Sequence, residues 1–200
     1  GNGTNGCGLI MNNRVVSVLA EDDWRAHRYA VVDLEGSGGQ DKEKEQILAI
    51  AIVTISGGKV RTDDLFYSLV KPGRPIKRLP WLKHNITNET VKDAPRFHDL
   101  ERSIGERLRH AVFVAHNARI DWKLLSRYMP DLEVAAVLDT MKLSRKVKVN
   151  LTRHRLSDLL RCYGLERTVK DLSGEQEHHA LYDAIGTALP EWSSRSLRVQ

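Results

Sequence analysis

The sequence predicts an α/β fold in which a mixed central five-stranded sheet is flanked by helices. Two observations support this prediction. Three apolar segments separated by turn-forming residues follow one another between residues 29 and 70, which indicates three strands in meander order. Strand-like and helix-like segments then alternate to the end of the chain, as in sheets whose later strands are joined by helices.

The first half of the chain is predicted to contain three strands, at Tyr29–Leu34, Ile47–Ile55 and Leu65–Val70. The second of these segments is a nearly unbroken apolar run, which is typical of a strand covered on both faces. The turn Ser56-Gly57-Gly58 separates it from the third.

In the second half of the chain, strand-like apolar runs alternate with segments whose apolar residues recur at helical spacing. Strands are predicted at Val112–Ala115 and Ala135–Leu138, and a helix at Ile120–Tyr128. Three further helices are predicted from apolar side chains that share one face, namely Phe97, Leu100, Ile104 and Leu108, then Leu156, Leu159, Leu160 and Tyr163, then Leu181, Ala184, Ile185 and Ala188.

Composition limits the class of protein. The 200 residues suffice for one domain, and we expect residues 11–200 to form it, with Gly1 to Ile10 a remnant of cloning ahead of a natural start at Met11. We find no apolar run of membrane-spanning length, and expect a cytoplasmic protein without a membrane partner. The net charge of +5 favours a polyanionic partner. Two cysteines without paired spacing indicate neither a disulfide framework nor a thiolate zinc site.

Three separated motifs carry the candidate chemistry: Val31-Val32-Asp33-Leu34-Glu35, the segment from Val114 to Asp121, and His178-His179-Ala180-Leu181-Tyr182-Asp183. Asp33 and Glu35 leave the same face of a strand, where like charges repel unless a cation lies between them. Asp121 follows the fourth strand, and Asp183 lies in a helix that packs on the sheet. An isolated pair of this kind is usually solvated. Four acids and a histidine together indicate a site for two hard divalent cations and phosphodiester hydrolysis.

These motifs resemble those of the DEDDh, or DnaQ-like, 3′-to-5′ exonucleases, the superfamily that includes the proofreading epsilon subunit of bacterial DNA polymerase, ribonuclease T and oligoribonuclease. The resemblance extends from about Tyr29 to Leu189. It implies a ribonuclease-H-like fold and two divalent cations, Mg²⁺ or Mn²⁺. The catalytic residues that it implies are Asp33, Glu35, Asp121 and Asp183 as metal ligands and His178 as general base.

The choice of base rests on the family spacing, in which the histidine stands five residues before the last acid, as His178 does before Asp183. The alternative is His179, which lies four residues before Asp183 on the same helical face.

The resemblance also places substrate contacts. The family usually has two threonines and a glycine after the first acids, whereas this chain has Gly36-Ser37-Gly38-Gly39. We expect Leu34, Gly36 and Ser37 to contact the terminal nucleotide; the alternative for the glycine-rich segment is a plain loop. His116 and Asn117 are expected to contact phosphate or a water of the site, or alternatively to close the turn after the fourth strand.

Two other features are candidates for nucleic-acid contact. The basic run consists of Lys142, Arg145, Lys146, Lys148, Arg153, His154 and Arg155, and guides phosphates or is a solvated face. Trp122 adjoins Asp121, and its position at the start of an amphipathic helix favours the core over base stacking.

The sequence therefore predicts a metal-dependent 3′-to-5′ exonuclease that acts on nucleic acid with a free 3′ end, with DNA and single strands favoured, and releases nucleoside 5′-monophosphates. The alternatives are an exoribonuclease of the same family and a catalytically silent nucleic-acid-binding scaffold. Retention of all five active-site residues argues against the silent scaffold. Whether a polymerase or another protein is a partner does not follow from the sequence.

Overall fold

The computed structural model describes residues 23–39, 44–77, 79–147 and 150–193, with side chains in the last range to Leu189. Gly1 to Ile10 and Met11 lie outside these residues. The described chain forms a five-stranded sheet, which confirms the predicted α/β class. Its strands are β1 Tyr29–Gly36, β2 Ile47–Ser56, β3 Lys59–Leu69, β4 Val112–Ala115 and β5 Ala136–Asp139.

The strand order β3-β2-β1-β4-β5 makes β1 the central strand. β1, β2 and β3 pair antiparallel, as a meander requires. β4 pairs parallel with β1, and β5 pairs parallel with β4. The carboxyl ends of β1, β4 and β5 therefore meet at one edge of the sheet, where the loops after parallel strands usually carry binding sites.

Six helices complete the described part of the chain, after a short 3-10 helix at Trp24–Ala26. They are α1 Phe97–Leu108, α2 Ala118–Tyr128, α3 Thr140–Val147, α4 Leu156–Tyr163, α5 Glu166–Ser173 and α6 Ala180–Ser193. Buried side chains of α1 and α2 pack on one face of the sheet, and those of α4, α5 and α6 on the other. Over the ranges described, the helices lack the combination of length and apolar character that crossing a membrane needs.

Burial of β2 follows from these two layers. Every residue from Ile47 to Ile55 is buried, which confirms the prediction of a strand covered on both faces. The even-numbered residues Ile50 and Ile52 join the core beneath α1 and α2, whereas Ala51 and Val53 join the core beneath α6. The same alternation along β1 decides which face carries its acids.

The five strands and the four helices that were predicted individually differ from the observed ones mainly at their ends, whereas α3 and α5 have no individually predicted counterpart. β3 begins at Lys59, six residues before the predicted Leu65, because its first half is exposed and polar while still pairing with β2. An apolar run detects only the covered half of such a strand. α2 begins at Ala118 rather than Ile120 because Asn117 takes a left-handed conformation, with φ of 71°, and turns the chain directly into the helix.

Candidate metal centre

The candidate site lies at the carboxyl end of β1. Asp33 and Glu35 continue the alternation of Tyr29 and Val31, whose side chains pack beneath α6, so both acids point to the α6 side of the sheet. The register with β2 shifts between Glu35 and Gly36, which marks a β-bulge immediately after the second acid. Bulges at such positions end regular pairing and re-aim the side chains beside them.

Three carboxylates converge at this end of β1. Asp33, Glu35 and Asp183 each offer an oxygen, and the three oxygens lie within 4.8 Å of one another. Asp183 belongs to the first turn of α6, and its backbone N–H donates to the His179 carbonyl oxygen at 3.0 Å. All three side chains are half-buried. Anionic oxygens this close match the ligands that Mg²⁺ and Mn²⁺ take in proteins.

Asp121 reaches the same strand from the opposite helical layer. It lies in the first turn of α2 and is buried, with only 7% of its surface exposed. One carboxylate oxygen, Oδ1, accepts a hydrogen bond of 3.1 Å from the backbone N–H of Leu34, the residue between the two β1 acids. The fold thus assembles all four acids of the sequence motifs, three in one cluster and the fourth across β1.

The electrostatics of the four acids are those of a site that needs a cation. Burial is the largest cause in each case. It raises the pKa of Asp33 well above its usual value, and the charges of Asp121, Asp183 and Glu35 add to the effect. The pKa of Glu35 is raised to about 8, and those of Asp121 and Asp183 to about 7. A bound divalent cation would favour the ionised forms, so the donor set fits the predicted metal.

His178 precedes α6 and has a left-handed backbone, with φ of 68°. Its side chain is 37% exposed, and its Nε2 lies 3.6 Å from a carboxylate oxygen of Glu177. Burial lowers the pKa of His178; the charge of Glu177 opposes this effect, and the charge of Lys83 adds to it. A backbone hydrogen bond from His178 also acts on the carboxyl of Asp183, whose pKa it lowers. Burial thus favours the neutral imidazole, which is the form that accepts a proton.

His179 is engaged in packing instead. Its Nδ1 accepts a hydrogen bond of 3.3 Å from the backbone N–H of Leu181, at the start of α6. Its ring lies 4.6 Å from the ring of Tyr67, measured between centroids, and its Nε2 lies 3.7 Å from Glu175. These contacts give His179 a helix-capping role, which leaves His178 as the more available of the two imidazoles.

The residues expected to contact the terminal nucleotide hold the end of β1 in place. The backbone N–H of Leu34 is committed to Asp121. Ser37 Oγ accepts the backbone N–H of Gln46 at 2.9 Å. A Cβ on Gly36 would lie 2.1 Å from Oε1 of Glu45, so a side chain at this position would displace that carboxylate. Nucleotide contact by Leu34, Gly36 and Ser37 stays a prediction.

His116 and Asn117 lie at the turn between β4 and α2. His116 Nε2 donates to the His154 carbonyl oxygen at 2.9 Å, and Nδ1 lies 3.0 Å from the Thr140 hydroxyl. The backbone N–H of Asn117 donates to Asp139 at 3.1 Å. These bonds favour the turn-closing interpretation, and substrate contact by either residue stays a prediction.

The basic run begins at the edge of the sheet that carries the acids. Asp139 ends β5, two strands from β1, and accepts the backbone N–H groups of Met141 and Lys142 at the start of α3. Arg145 and Lys146 are exposed on this helix. Lys148 lies outside the described residues.

Trp122 packs in the core. Its ring lies edge-on to Phe113, 5.1 Å away between centroids, as the sequence favoured.

Sequence analysis missed two charged residues at the site. Glu45 places its carboxylate against Gly36, and its charge helps to raise the pKa of Asp121. Glu45 lies in a charged stretch just before β2, outside the three acidic motifs. Lys83, exposed between β3 and α1, acts electrostatically on both His178 and Asp183. No motif surrounds Lys83, so the sequence carried no signal for it.

Comparison with known proteins supports the geometry. A sequence model of the family described as exonuclease matches residues 30–189. A DNA polymerase III subunit epsilon-like protein of Rhodobacter capsulatus is 33% identical over 192 residues, which cover 90% of this chain and 26% of that protein. The PolC-type DNA polymerase III of Bacillus subtilis is 32% identical over 165 residues, which cover 80% of this chain and 11% of that protein. The chain thus spans about a tenth to a quarter of the length of these relatives.

Two solved structures are similar in fold. Exonuclease X in complex with 5′-overhanging duplex DNA matches with a TM-score of 0.63 at 28% identity, covering 83% of this chain and 89% of that one. E. coli Exonuclease I in complex with a dT13 oligonucleotide matches with a TM-score of 0.67 at 12% identity, covering 85% and 41%. The second likeness concerns the fold alone. Together these matches confirm the ribonuclease-H-like fold implied by the sequence motifs.

The substitution Glu35→Gln is expected to stabilise the metal-free protein at pH 8. The pKa of Glu35 rises from 4.5 to about 8 on folding, so the folded protein retains a proton that the unfolded chain releases. Stability is therefore lost as the pH rises from about 4.5 to about 8. Glutamine removes this loss, which is about 1 kcal/mol after allowance for solvent screening. Thermal unfolding with chelator at pH 8 should show a gain of about 2 to 4 °C in Tm.

At pH 5 the gain should nearly vanish, and the exposed control Glu101→Gln should show none at either pH. Added Mg²⁺ should stabilise the parent at pH 8 more than it stabilises Glu35→Gln, because ligand binding to the folded state raises stability. Equal pH dependence of the parent and Glu35→Gln would contradict the assigned charge state.

Proposed function

Since the chain belongs to the DnaQ-like 3′-to-5′ exonuclease superfamily, we propose that it removes nucleotides from the 3′ end of DNA as nucleoside 5′-monophosphates. The observation that carries the proposal is the convergence of Asp33, Glu35 and Asp183 within 4.8 Å. Such a cluster has no structural use of its own, since the buried like charges oppose folding. Its presence is explained by the cations that it would hold.

The four acids would hold the cations from both sides of β1. Asp33, Glu35 and Asp183 would bind the cations directly, and Asp121 would complete the set from the α2 side. When bound, two divalent cations, Mg²⁺ or Mn²⁺, would supply the positive charge that orients the attacking water and stabilises the departing oxygen. The hydrogen bond from Leu34 fixes the carboxylate of Asp121 against β1, so the ligands from both helical layers are preorganised on one strand.

His178 would act as the general base. Its lowered pKa keeps the ring neutral at the pH of the cell, and its partly exposed position beside Asp183 leaves it free to take a proton from the attacking water. His178 has a left-handed backbone and lies on a turn ahead of α6, outside the helix. His179 would hold the first turn of that helix.

DNA is favoured as the substrate on two grounds. Exonuclease X, whose structure was solved with 5′-overhanging duplex DNA, is 28% identical to this chain and is covered over 89% of its length. The net charge of +5 also suits a polyanion. The names of the two curated relatives refer to DNA polymerase III, so a polymerase is the first protein partner to test by co-purification.

Removal of one metal-binding acid is expected to abolish activity. Asp33→Ala and Asp183→Ala should each lower the rate on the order of 10³-fold or more, because charge stabilisation worth several kcal/mol is lost. The rate is measured from 5′-labelled single-stranded and duplex DNA with Mg²⁺, Mn²⁺ or chelator. Asp171→Ala, which removes an exposed acid on α5, serves as the matched control and should cleave like the parent.

A near-parental rate for either acid variant, or undiminished cleavage in chelator, would contradict the metal mechanism. RNA oligonucleotides of the same sequence belong in the same assay. Faster release from RNA than from DNA would transfer the proposal to the exoribonuclease alternative.

The two histidines should respond differently. His178→Ala is expected to lower the rate by about 10²- to 10⁴-fold while DNA binding is retained, as expected for a lost general base. His179→Ala should lower Tm, because a helix cap worth about 1 kcal/mol is removed, with a much smaller effect on rate. Single-turnover rates, binding isotherms and thermal unfolding of both variants separate these effects, and a larger rate loss in His179→Ala would reassign the base.

The exposed cations of α3 should contribute to phosphate binding. Arg145→Ala combined with Lys146→Ala is expected to make the dependence of log affinity on log salt shallower by about 1.4, since each phosphate contact on a single strand accounts for about 0.7. Binding is measured on the Asp183→Ala background to prevent turnover. Lys59→Ala combined with Arg61→Ala removes the same charge from the opposite end of the sheet. Equal slopes for the two double variants would show that α3 acts only through net charge.

A further inference from the structure

We infer that Trp81 is a stacking platform for a base of the nucleic-acid strand whose 3′ end occupies the carboxylate site. This inference rests on the proposed function and names a residue that none of the three acidic motifs contains. Trp81 lies in the segment between β3 and α1, which packs against the residues following Glu35. It places a large aromatic ring at the surface beside the candidate metal centre.

The exposure of Trp81 is unusual for a residue of its size. The side chain is 62% exposed, the highest value among the exposed large hydrophobic residues of the described chain. Its neighbour Leu79 is only 6% exposed, and the backbone N–H of Leu82 donates to the Leu79 carbonyl oxygen at 3.1 Å. A buried leucine and a closed turn therefore fix the backbone that carries the tryptophan. The ring is presented to solvent by an ordered segment of the protein.

The edge of the indole faces the site loop. Gly38, with φ of +69°, lies three residues after Glu35, and a Cβ on it would stand 2.8 Å from Leu79 and 3.7 Å from Nε1 of Trp81. The absence of a side chain at Gly38 thus leaves room for Leu79, and Nε1 of Trp81 lies near the same glycine. Because 62% of Trp81 is nevertheless exposed, the ring retains surface that a base can cover.

A histidine joins the same segment to β1. His84 Nε2 donates to the Gly36 carbonyl oxygen at 2.9 Å, and His84 Nδ1 accepts the backbone N–H of Ile86 at 3.3 Å. One imidazole therefore connects the Trp81 segment to the residue that directly follows Glu35. Trp81 is thereby held in a fixed position relative to the carboxylates.

The charge around Trp81 suits a nucleic acid. Lys83, two residues after Trp81, is exposed and acts electrostatically on His178 and Asp183. The segment therefore extends from the aromatic ring to the carboxylate cluster. An aromatic face beside a cation is the usual arrangement for binding single strands, in which the cation meets phosphate and the ring meets a base. Stacking requires no particular base, which suits an enzyme that degrades many sequences.

The test asks whether the contribution of Trp81 to binding depends on one particular base of the strand. Binding of 5′-fluorescein single-stranded DNA is measured by anisotropy on the Asp33→Ala background, with the intact strand and with strands that lack one base at each of the six positions nearest the 3′ end. Trp81→Ala and Trp81→Gln should each weaken binding of the intact strand by about 5- to 100-fold. Trp81→Phe should stay within about threefold of the background protein, because it retains an aromatic face. Leu172→Ala, at an exposed apolar position on α5, should bind like the background protein.

At one of these positions, removal of the base should weaken binding by the background protein but not by Trp81→Ala, because the stacking partner is already lost. Additive losses at every position, or unchanged affinity in both Trp81→Ala and Trp81→Gln, would overturn the inference. Parental cleavage measured in parallel separates the two hypotheses. If the parent cleaves DNA but no position shows coupling, only the stacking platform is overturned. If coupling is seen but the parent does not cleave, only the proposed hydrolysis is overturned. If the parent does not cleave and the background protein binds no strand, both are overturned.

Discussion

The carboxylates at the end of β1 repel one another, and the packing of the rest of the structure has to offset this repulsion. Asp33 and Glu35 come from the central strand, and the two helical layers bring Asp121 and Asp183 to it from opposite faces. Burial raises the pKa of both β1 acids, and the charges of the neighbouring carboxylates add to the effect. The unfavourable free energy of burying these carboxylates must be offset by packing elsewhere. The middle strands of the sheet are buried on both faces, and their apolar area provides that stabilisation.

The extent to which the sequence predicted this arrangement depended on the range of each interaction. Apolar runs and helical stripes located the strands and four of the six helices of the described chain, and the three acidic motifs identified the cluster, because both signals lie in neighbouring residues. The exposed half of β3 was missed because its side chains follow no apolar pattern. Glu45, Lys83 and Trp81 could not be selected either, since each reaches the site through folding of a loop. Spacing alone also could not separate His178 from His179.

That pair of histidines illustrates how a site distributes roles between adjacent residues. His179 uses Nδ1 to hold the start of α6, and the same turn of helix carries Asp183. His178 stands one residue earlier, outside the helix, with its ring partly exposed. Six consecutive residues thus supply a carboxylate held in the first turn of α6 and an imidazole that lies outside the helix. This division is the one expected if Asp183 holds a cation and His178 accepts a proton, as proposed above.

The bulge between Glu35 and Gly36 bears on how such a chain can diversify. A strand that gains or loses one residue turns all its subsequent side chains to the other face. Here the irregularity comes after both acids, so the pairing of Asp33 and Glu35 with β2 is already complete when the register changes. Insertions and deletions beyond Gly36 can then alter the loop after β1 without rotating the acids. The bulge separates a part of the chain that must keep its length from a part that is free to change it.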